Sequence, residues 1–265
     1  MGKYELKTDG RTTRIAVCQW CLPVEGPQGL IQAADLGYDG VEMDMGFNKQ
    51  EYDLRNPSIL EQFLEAKFVS GILTPSLALN YFCLNCLEKK EETRETLDRV
   101  LEVAAKLEAG TLQLCSFWEE GMRNEKEFSA TVENLKYACR HAKKLGITIA
   151  SENQLSIDGN RELIEAVSED NFGIYFDTAN PYLFDGRDGI VMLEALFPFI
   201  SELHIKDYEL DGEKKCVPLG KGQCHTEEAA GILRQRKYDK WVVIENQLSA
   251  MELADDAEYI RKALI

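Results

Sequence analysis

Four short apolar runs in the second half of the chain each end in a side chain that can bind a metal. ITIASEN carries Glu152, FGIYFDT carries Asp177, ISELHIKD carries His204 and KWVVIEN carries Glu245. Each run is rich in Ile, Val, Phe or Tyr and too short for a helix, so each reads as a buried strand. A helical pattern separates each run from the next, and the polar residues lie 25, 27 and 41 positions apart (152 to 177, 177 to 204, 204 to 245). That spacing suits one strand-helix unit per gap, with an insertion in the last. Parallel strands joined by helices all point the same way, so these side chains converge at the C-terminal mouth of a closed barrel. A single Asp or Glu at a strand end usually caps a helix or faces solvent. Three carboxylates and one imidazole in succession at one topological position point instead to a divalent cation. Crowded carboxylates raise one another's pKa unless a positive charge stands among them.

The rest of the chain continues the alternation. Strands are expected at Arg14–Trp20, Gly40–Met45, Gly71–Asn80 and Thr111–Phe117, with Pro75 marking an irregular third strand. Helices are expected after Asn56-Pro57-Ser58, from about Glu88 to Glu108, from Glu125 to Leu145, at Arg161–Val167, at Ile190–Leu196, behind a Thr226 cap, and at Ala254–Leu264. Between Asp207 and Gln223 only a loop with turn chemistry is read. Eight strands and about eight helices in 265 residues predict an α/β fold, a (β/α)8 TIM barrel. It would be one domain over residues 1–265, with residues 1–13 a polar N-terminal arm. One internal echo stands out: Glu152-Asn153-Gln154-Leu155-Ser156 recurs as Glu245-Asn246-Gln247-Leu248-Ser249, which sets two glutamates in related positions.

A formal net charge of −16 argues against nucleic acid and against an anionic membrane surface as partners. No apolar run approaches the length of a membrane span, and the first residues lack the apolar core of a signal peptide. Cysteines such as Cys18, Cys115 and Cys139 sit inside apolar segments, which reads as reduced, buried thiols and a cytoplasmic protein. Two C-x-x-C pairs, Cys18/Cys21 and Cys83/Cys86, would allow a four-thiolate zinc site but read more simply as unlinked thiols.

Several segments carry a resemblance: GYDGVEMD, Glu152 at its strand end, FDTAN (Phe176–Asn180), LHIKD (Leu203–Asp207), LGKG (Leu219–Gly222) and VVIEN (Val242–Asn246). In this order they resemble the xylose isomerase-like TIM barrels of the sugar phosphate isomerase/epimerase family. The resemblance implies one divalent metal ion held by Glu152, Asp177, His204 and Glu245, with manganese foremost and cobalt, magnesium or zinc as alternatives. It also implies that Glu152 and Glu245 form the acid/base pair, as in keto-sugar 3-epimerases, and that Lys206 faces substrate. The chain departs from the family at Asn180, where many members have His, and at Lys221, where the family has Glu. With only three histidines, it does not suit the multi-metal endonucleases built on the same fold.

The expected activity is proton transfer next to a carbonyl, with the metal as Lewis acid stabilising an enediolate and a glutamate on each face of the planar intermediate. The rivals are a dehydratase or lyase on a keto-sugar or cyclitol, and a sugar-binding barrel without turnover that serves as a subunit of an assembly. Further pocket candidates at strand ends are Trp20, Glu42, Asp44, Asn80 and Trp118. Glu42 could equally cap a helix, Lys206 could simply pair with Asp207 or Asp177, and His225 starts or caps a helix. No phosphate-cradling G-x-x-x-x-G-K run is present, which favours a free sugar, cyclitol or keto-polyol as small-molecule partner. A homo-oligomer is left open.

Overall fold

Eight parallel strands close on themselves in the order β1-β10-β7-β6-β5-β4-β3-β2 in a computed structural model that describes residues 13–80, 82, 84–85 and 90–265. The barrel strands are β1 (Arg14–Cys18), β2 (Gly40–Asp44), β3 (Ser76–Leu79), β4 (Thr111–Ser116), β5 (Thr148–Asn153), β6 (Phe172–Asp177), β7 (Ile200–Ile205) and β10 (Trp241–Ile244). A two-stranded hairpin, β8 (Asp207–Glu209) and β9 (Lys215–Val217), stands apart after β7. The helices are α1 (Pro27–Asp35), α2 (Pro57–Ser70), α3 (Lys90–Leu107), α4 (Glu125–Ala142), α5 (Ile157–Val167), α6 (Gly189–Leu196), α7 (Thr226–Gln235) and α8 (Ala250–Ala263). The (β/α)8 barrel expected from the alternation is therefore the fold. Of the polar arm only Thr13 falls within the described residues.

The helices bury the faces their periodicity predicts. On α3, Leu97, Val100, Leu101, Ala104 and Leu107 are buried, and on α4 so are Val132, Leu135, Ala138 and Ala142. Leu145 is a correction: α4 ends at Ala142, and Leu145 sits 48% exposed in a tight turn that Gly146 closes. The third strand is shorter than expected, because Pro75 offers no N–H to a ladder and only Leu73 bridges to Gly40 before β3 begins. Two helices start earlier than their apolar pattern does. Ser156 caps α5 by accepting from Gly159 N, and Ser249 caps α8 in a reciprocal box with Glu252. The repeated Glu-Asn-Gln-Leu-Ser is thus a strand-end carboxylate followed by a helix cap, used twice. Thr226 is a further correction. His225 is the N-cap of α7, and the Thr226 hydroxyl donates to Asp207 and accepts from Gly220 N.

The loop read between Asp207 and Gln223 holds the β8–β9 hairpin, and Asp207 organises it. Its carboxylate accepts from the backbone N–H groups of Tyr208, Gly220, Gly222 and Cys224. Gly220 takes a φ of 79° to aim its N–H there, a conformation costly for residues with a Cβ.

Inside the barrel, polar side chains stack below the mouth. Thr111 donates to Glu202 at 2.6 Å, Ser76 and Tyr175 share a hydrogen bond at 3.3 Å, and the Tyr175 ring lies 4.6 Å from the His204 ring. Burial pushes the Glu202 carboxyl up to about 7, with the Thr111 hydrogen bond opposing. A carboxyl with a raised folded pKa favours folding fully below its unfolded value and loses that contribution as pH rises through the folded one. We therefore expect Glu202→Gln to raise stability by about 3 kcal/mol at pH 8, and the gain to vanish near pH 4. Thermal unfolding of both proteins across pH 4–8 checks this. A gain independent of pH would contradict it.

Candidate metal and proton-transfer site

His204 is the hub of the mouth. Its Nδ1 lies 3.4 Å from Glu245 Oε2, 3.6 Å from Glu152 Oε1 and 3.7 Å from Asp177 Oδ2. These are too long for good hydrogen bonds, and Nδ1 is buried with no hydrogen-bond partner. Glu152, Asp177 and His204 each offer a ligand atom within 4.8 Å of the others. On its other side, Nε2 stands 2.6 Å from Glu42 Oε2. That carboxylate orients the ring and leaves Nδ1 facing the three acids.

Register explains the convergence. Asp177 pairs with His204 across β6 and β7, and β10 lies against the far edge of β7. Glu245 follows β10 directly, and its N–H donates to the Ile205 carbonyl. Glu152 stands near the end of β5, beside β6. The four candidate ligands thus come from four adjacent strands.

The two glutamates are held differently. Glu152 accepts from Gln113 Nε2 at 2.6 Å and from Asn180 Nδ2 at 2.9 Å, both neutral. Burial pushes its carboxyl up to about 7, against the pull of His204. Glu245 accepts from Lys206 Nζ at 2.5 Å and from Trp20 Nε1 at 3.0 Å. Burial works to raise it too, but the Lys206 and His204 charges outweigh that and bring it down to about 2. Asp177 anchors its own loop by accepting from the N–H groups of Ala179 and Asn180 through Oδ1. Its Oδ2 makes no hydrogen bond and has the Lys206 ammonium 2.9 Å away as an ion pair.

A divalent cation fits this donor set. Among the described residues, three buried carboxylates (Glu42, Glu152, Asp177) and the half-buried Glu245 face one ammonium and one imidazole, so negative charge is in excess. Burial disfavours the imidazolium, but Glu245, Glu42 and Glu152 together hold His204 well above its ordinary value. The cluster thus attracts a positive charge at Nδ1, and a metal there would replace that proton.

All the other candidates except Glu42 gather at the mouth. A cavity of about 590 Å³ is lined by Trp20, Asp44, Asn80, Trp118, Asn180, Lys206, Glu152 and Glu245, among others. Asn80 donates to Asp44. Trp20 steadies Glu245 and meets the His204 ring edge-on at 6.1 Å. Lys206 reaches the cavity, and its charge is engaged by Asp177 and Glu245 rather than by Asp207. Glu42 caps no helix and does not line the cavity; it is fully buried beneath His204. Gln113, absent from the sequence-based candidates, was detectable as the lone amide inside the apolar run TLQLC. Cys115 is half-buried in the cavity wall, 3.7 Å from Glu152. Cys18 and Cys21 are buried free thiols, and Cys83 and Cys86 lie outside the described residues. No helix among the described residues is long and apolar enough to cross a membrane.

Comparison with known proteins agrees with this fold. A model of the family described as "Xylose isomerase-like TIM barrel" matches residues 30–263. A 2-epi-5-epi-valiolone 7-phosphate 2-epimerase from Actinoplanes sp. is 26% identical over 260 residues, 96% of each chain. Among solved structures, a xylose isomerase-like TIM barrel protein from Mycobacterium smegmatis in complex with magnesium superposes with a TM-score of 0.77. It is 17% identical, over 95% of this chain and 96% of that one. D-psicose 3-epimerase from Clostridium cellulolyticum with D-tagatose gives a TM-score of 0.77 at 12% identity, over 95% and 99%. At these identities the structures share the fold.

Proposed function

The chain belongs to the xylose isomerase-like TIM barrel family, and from that premise we propose that it is a divalent-metal-dependent sugar isomerase or epimerase acting by proton transfer next to a carbonyl. The observation that carries this reading is the pair of glutamates, Glu152 and Glu245. They reach one cavity from strands that flank the His204–Asp177 pair. Inverting a carbon centre needs an acid/base group on each face of a planar enediolate, and two carboxylates across a barrel mouth meet that need.

Glu152, Asp177, His204 and Glu245 would hold the ion, and their oxygen-rich donor set suits manganese. When bound, the ion supplies a Lewis acid for the carbonyl. One glutamate takes the carbon-bound proton and the other returns a proton to the opposite face. Asn180 and Gln113 keep Glu152 aimed at the cavity, and Trp20 and Lys206 do the same for Glu245. Asn180 positions a carboxylate and offers an amide to a sugar hydroxyl, but an amide does not shuttle protons.

The substrate is a keto-sugar or cyclitol without a phosphate. The relative from Actinoplanes is named for a valiolone 7-phosphate, but among the described residues both lysines lining this cavity, Lys49 and Lys206, are paired with carboxylates. The test is incubation of Mn²⁺-supplemented protein with keto-sugars in deuterated water. The expected result is deuterium at the carbon next to the carbonyl together with a new epimer or isomer. Loss of water would assign a dehydratase instead, and absence of both would sink the proposal.

A further inference from the structure

Proton transfer makes no use of two exposed rings at the cavity mouth. Trp118 is 60% exposed and Phe184 42%, although both are large and apolar. Their centroids lie 5.2 Å apart in an edge-to-face pair, with Phe117 within 5.8 Å of one and 6.3 Å of the other. All three line the cavity that Glu152 and Glu245 enter. A contiguous apolar patch left in water and rimmed by polar groups marks a contact surface.

The backbone holds these rings in place. Trp118 has a φ of 45°, an outlying conformation for a bulky aromatic residue. It is pinned there, because its N–H donates to Gln154 Oε1 at 2.9 Å. Asn85 Nδ2 donates to the carbonyls of Glu119 and Gly121 in the same loop. Phe184 stands in a single π-helical turn, Pro181–Asp185, a form that recurs at functional sites. Arg187, just beyond it, donates to the Gln154 carbonyl at 3.0 Å. Gln154 therefore ties both ring-bearing loops to the end of the strand that carries Glu152. Unusual backbone over-determined by neighbours in this way is a feature of binding sites.

The cavity is also larger than the reacting unit. Its 590 Å³ falls within the range of pockets that enclose a drug-sized molecule. At ~30 Å³ per water it holds about twenty waters, well beyond the about a dozen heavy atoms of one hexose.

We propose that Trp118 and Phe184 form a second subsite that stacks on a planar, uncharged ring joined to the reacting sugar, so that the substrate is a glycoside rather than a bare monosaccharide. This rests on the sugar-binding reading above. The sugar lies toward Glu152 and Glu245, and the attached ring rests against the two aromatic faces at the mouth. Stacking of flat rings on aromatic side chains is tolerant of their exact chemistry.

The test compares methyl and phenyl 3-keto-β-D-glucopyranoside by calorimetric titration into the full-length protein with Mn²⁺ present. The phenyl glycoside is expected to bind about tenfold more tightly or better. Trp118→Ala and Phe184→Ala should each cut the phenyl-to-methyl affinity ratio about fivefold or more, while Trp118→Phe keeps most of it. A ratio near one in the parent protein, or an unchanged ratio in both alanine variants, overturns the subsite. So does a ratio near one in a protein whose self-association, seen by sedimentation, is lost in those variants. Binding is read without turnover, so a phenyl preference with no deuterium exchange sinks only the catalytic proposal. If neither glycoside binds, both fall.

Discussion

Glu152→Gln and Glu245→Gln should each lower solvent-proton exchange into the substrate by about a thousandfold, within the range that positioned acid/base groups contribute. Glutamine keeps the length and shape of glutamate, but its amide neither takes nor gives a proton at neutral pH. The local partners make the two changes instructive. At position 152, Gln113 and Asn180 donate to different carboxylate oxygens, so one of them keeps the amide oxygen as acceptor while the other must turn its own amide to accept from the new NH2, and the side chain stays aimed at the cavity. At position 245, Lys206 loses one of its two carboxylates and keeps Asp177. Glutamine is also a weaker metal ligand, so Mn²⁺ affinity must be measured beside the rate. A variant that still binds Mn²⁺ at saturating concentration yet fails to exchange isolates the proton-transfer role. Exchange within tenfold of the parent in either variant would remove that glutamate from the chemistry.

Glu42→Gln should weaken Mn²⁺ binding by about 10- to 100-fold, the usual consequence of removing the partner that orients a ligating histidine. Glu42 is fully buried and stands 2.6 Å from His204 Nε2. The amide oxygen of glutamine can still accept from Nε2–H, so ring orientation survives in part. What disappears is the negative charge that raises the basicity of the imidazole. Glu42→Ala removes the acceptor as well and should cost more affinity, together with stability, because Nε2 and the Cys18 thiol 3.4 Å from Glu42 lose a buried partner. Calorimetric Mn²⁺ titration of each variant, with thermal unfolding as the fold control, checks both outcomes. Unchanged affinity in Glu42→Ala would mean that His204 does not ligate through Nδ1.

The fold was legible because each βα unit announces itself twice, as a short apolar run and then as a helical stripe. The four strand-end residues were legible for the same reason, since strand direction alone sends Glu152, Asp177, His204 and Glu245 to one mouth. Less visible was what each side chain meets across the barrel. Glu42 and Gln113 are polar residues inside apolar strands, and only register shows that one supports His204 and the other Glu152. Lys206 was open to two readings, a substrate contact or a partner of Asp207 or Asp177, and the structure lines the cavity with it while engaging its charge with Asp177 and Glu245. The early starts of α5 and α8 were hidden because Ser156 and Ser249 cap turns whose first residues lack the apolar stripe. The β8–β9 hairpin was missed because three-residue strands carry too little periodicity to read, and their order comes from Asp207 gathering backbone N–H groups at a distance.

The most direct test is a metal titration coupled to exchange. Protein stripped with a chelator should show no deuterium uptake into a keto-sugar, and uptake should return in proportion to added Mn²⁺ and level off at one equivalent per chain. Full exchange in the stripped protein, or none at any Mn²⁺ concentration, would contradict a cation at the barrel mouth working with Glu152 and Glu245.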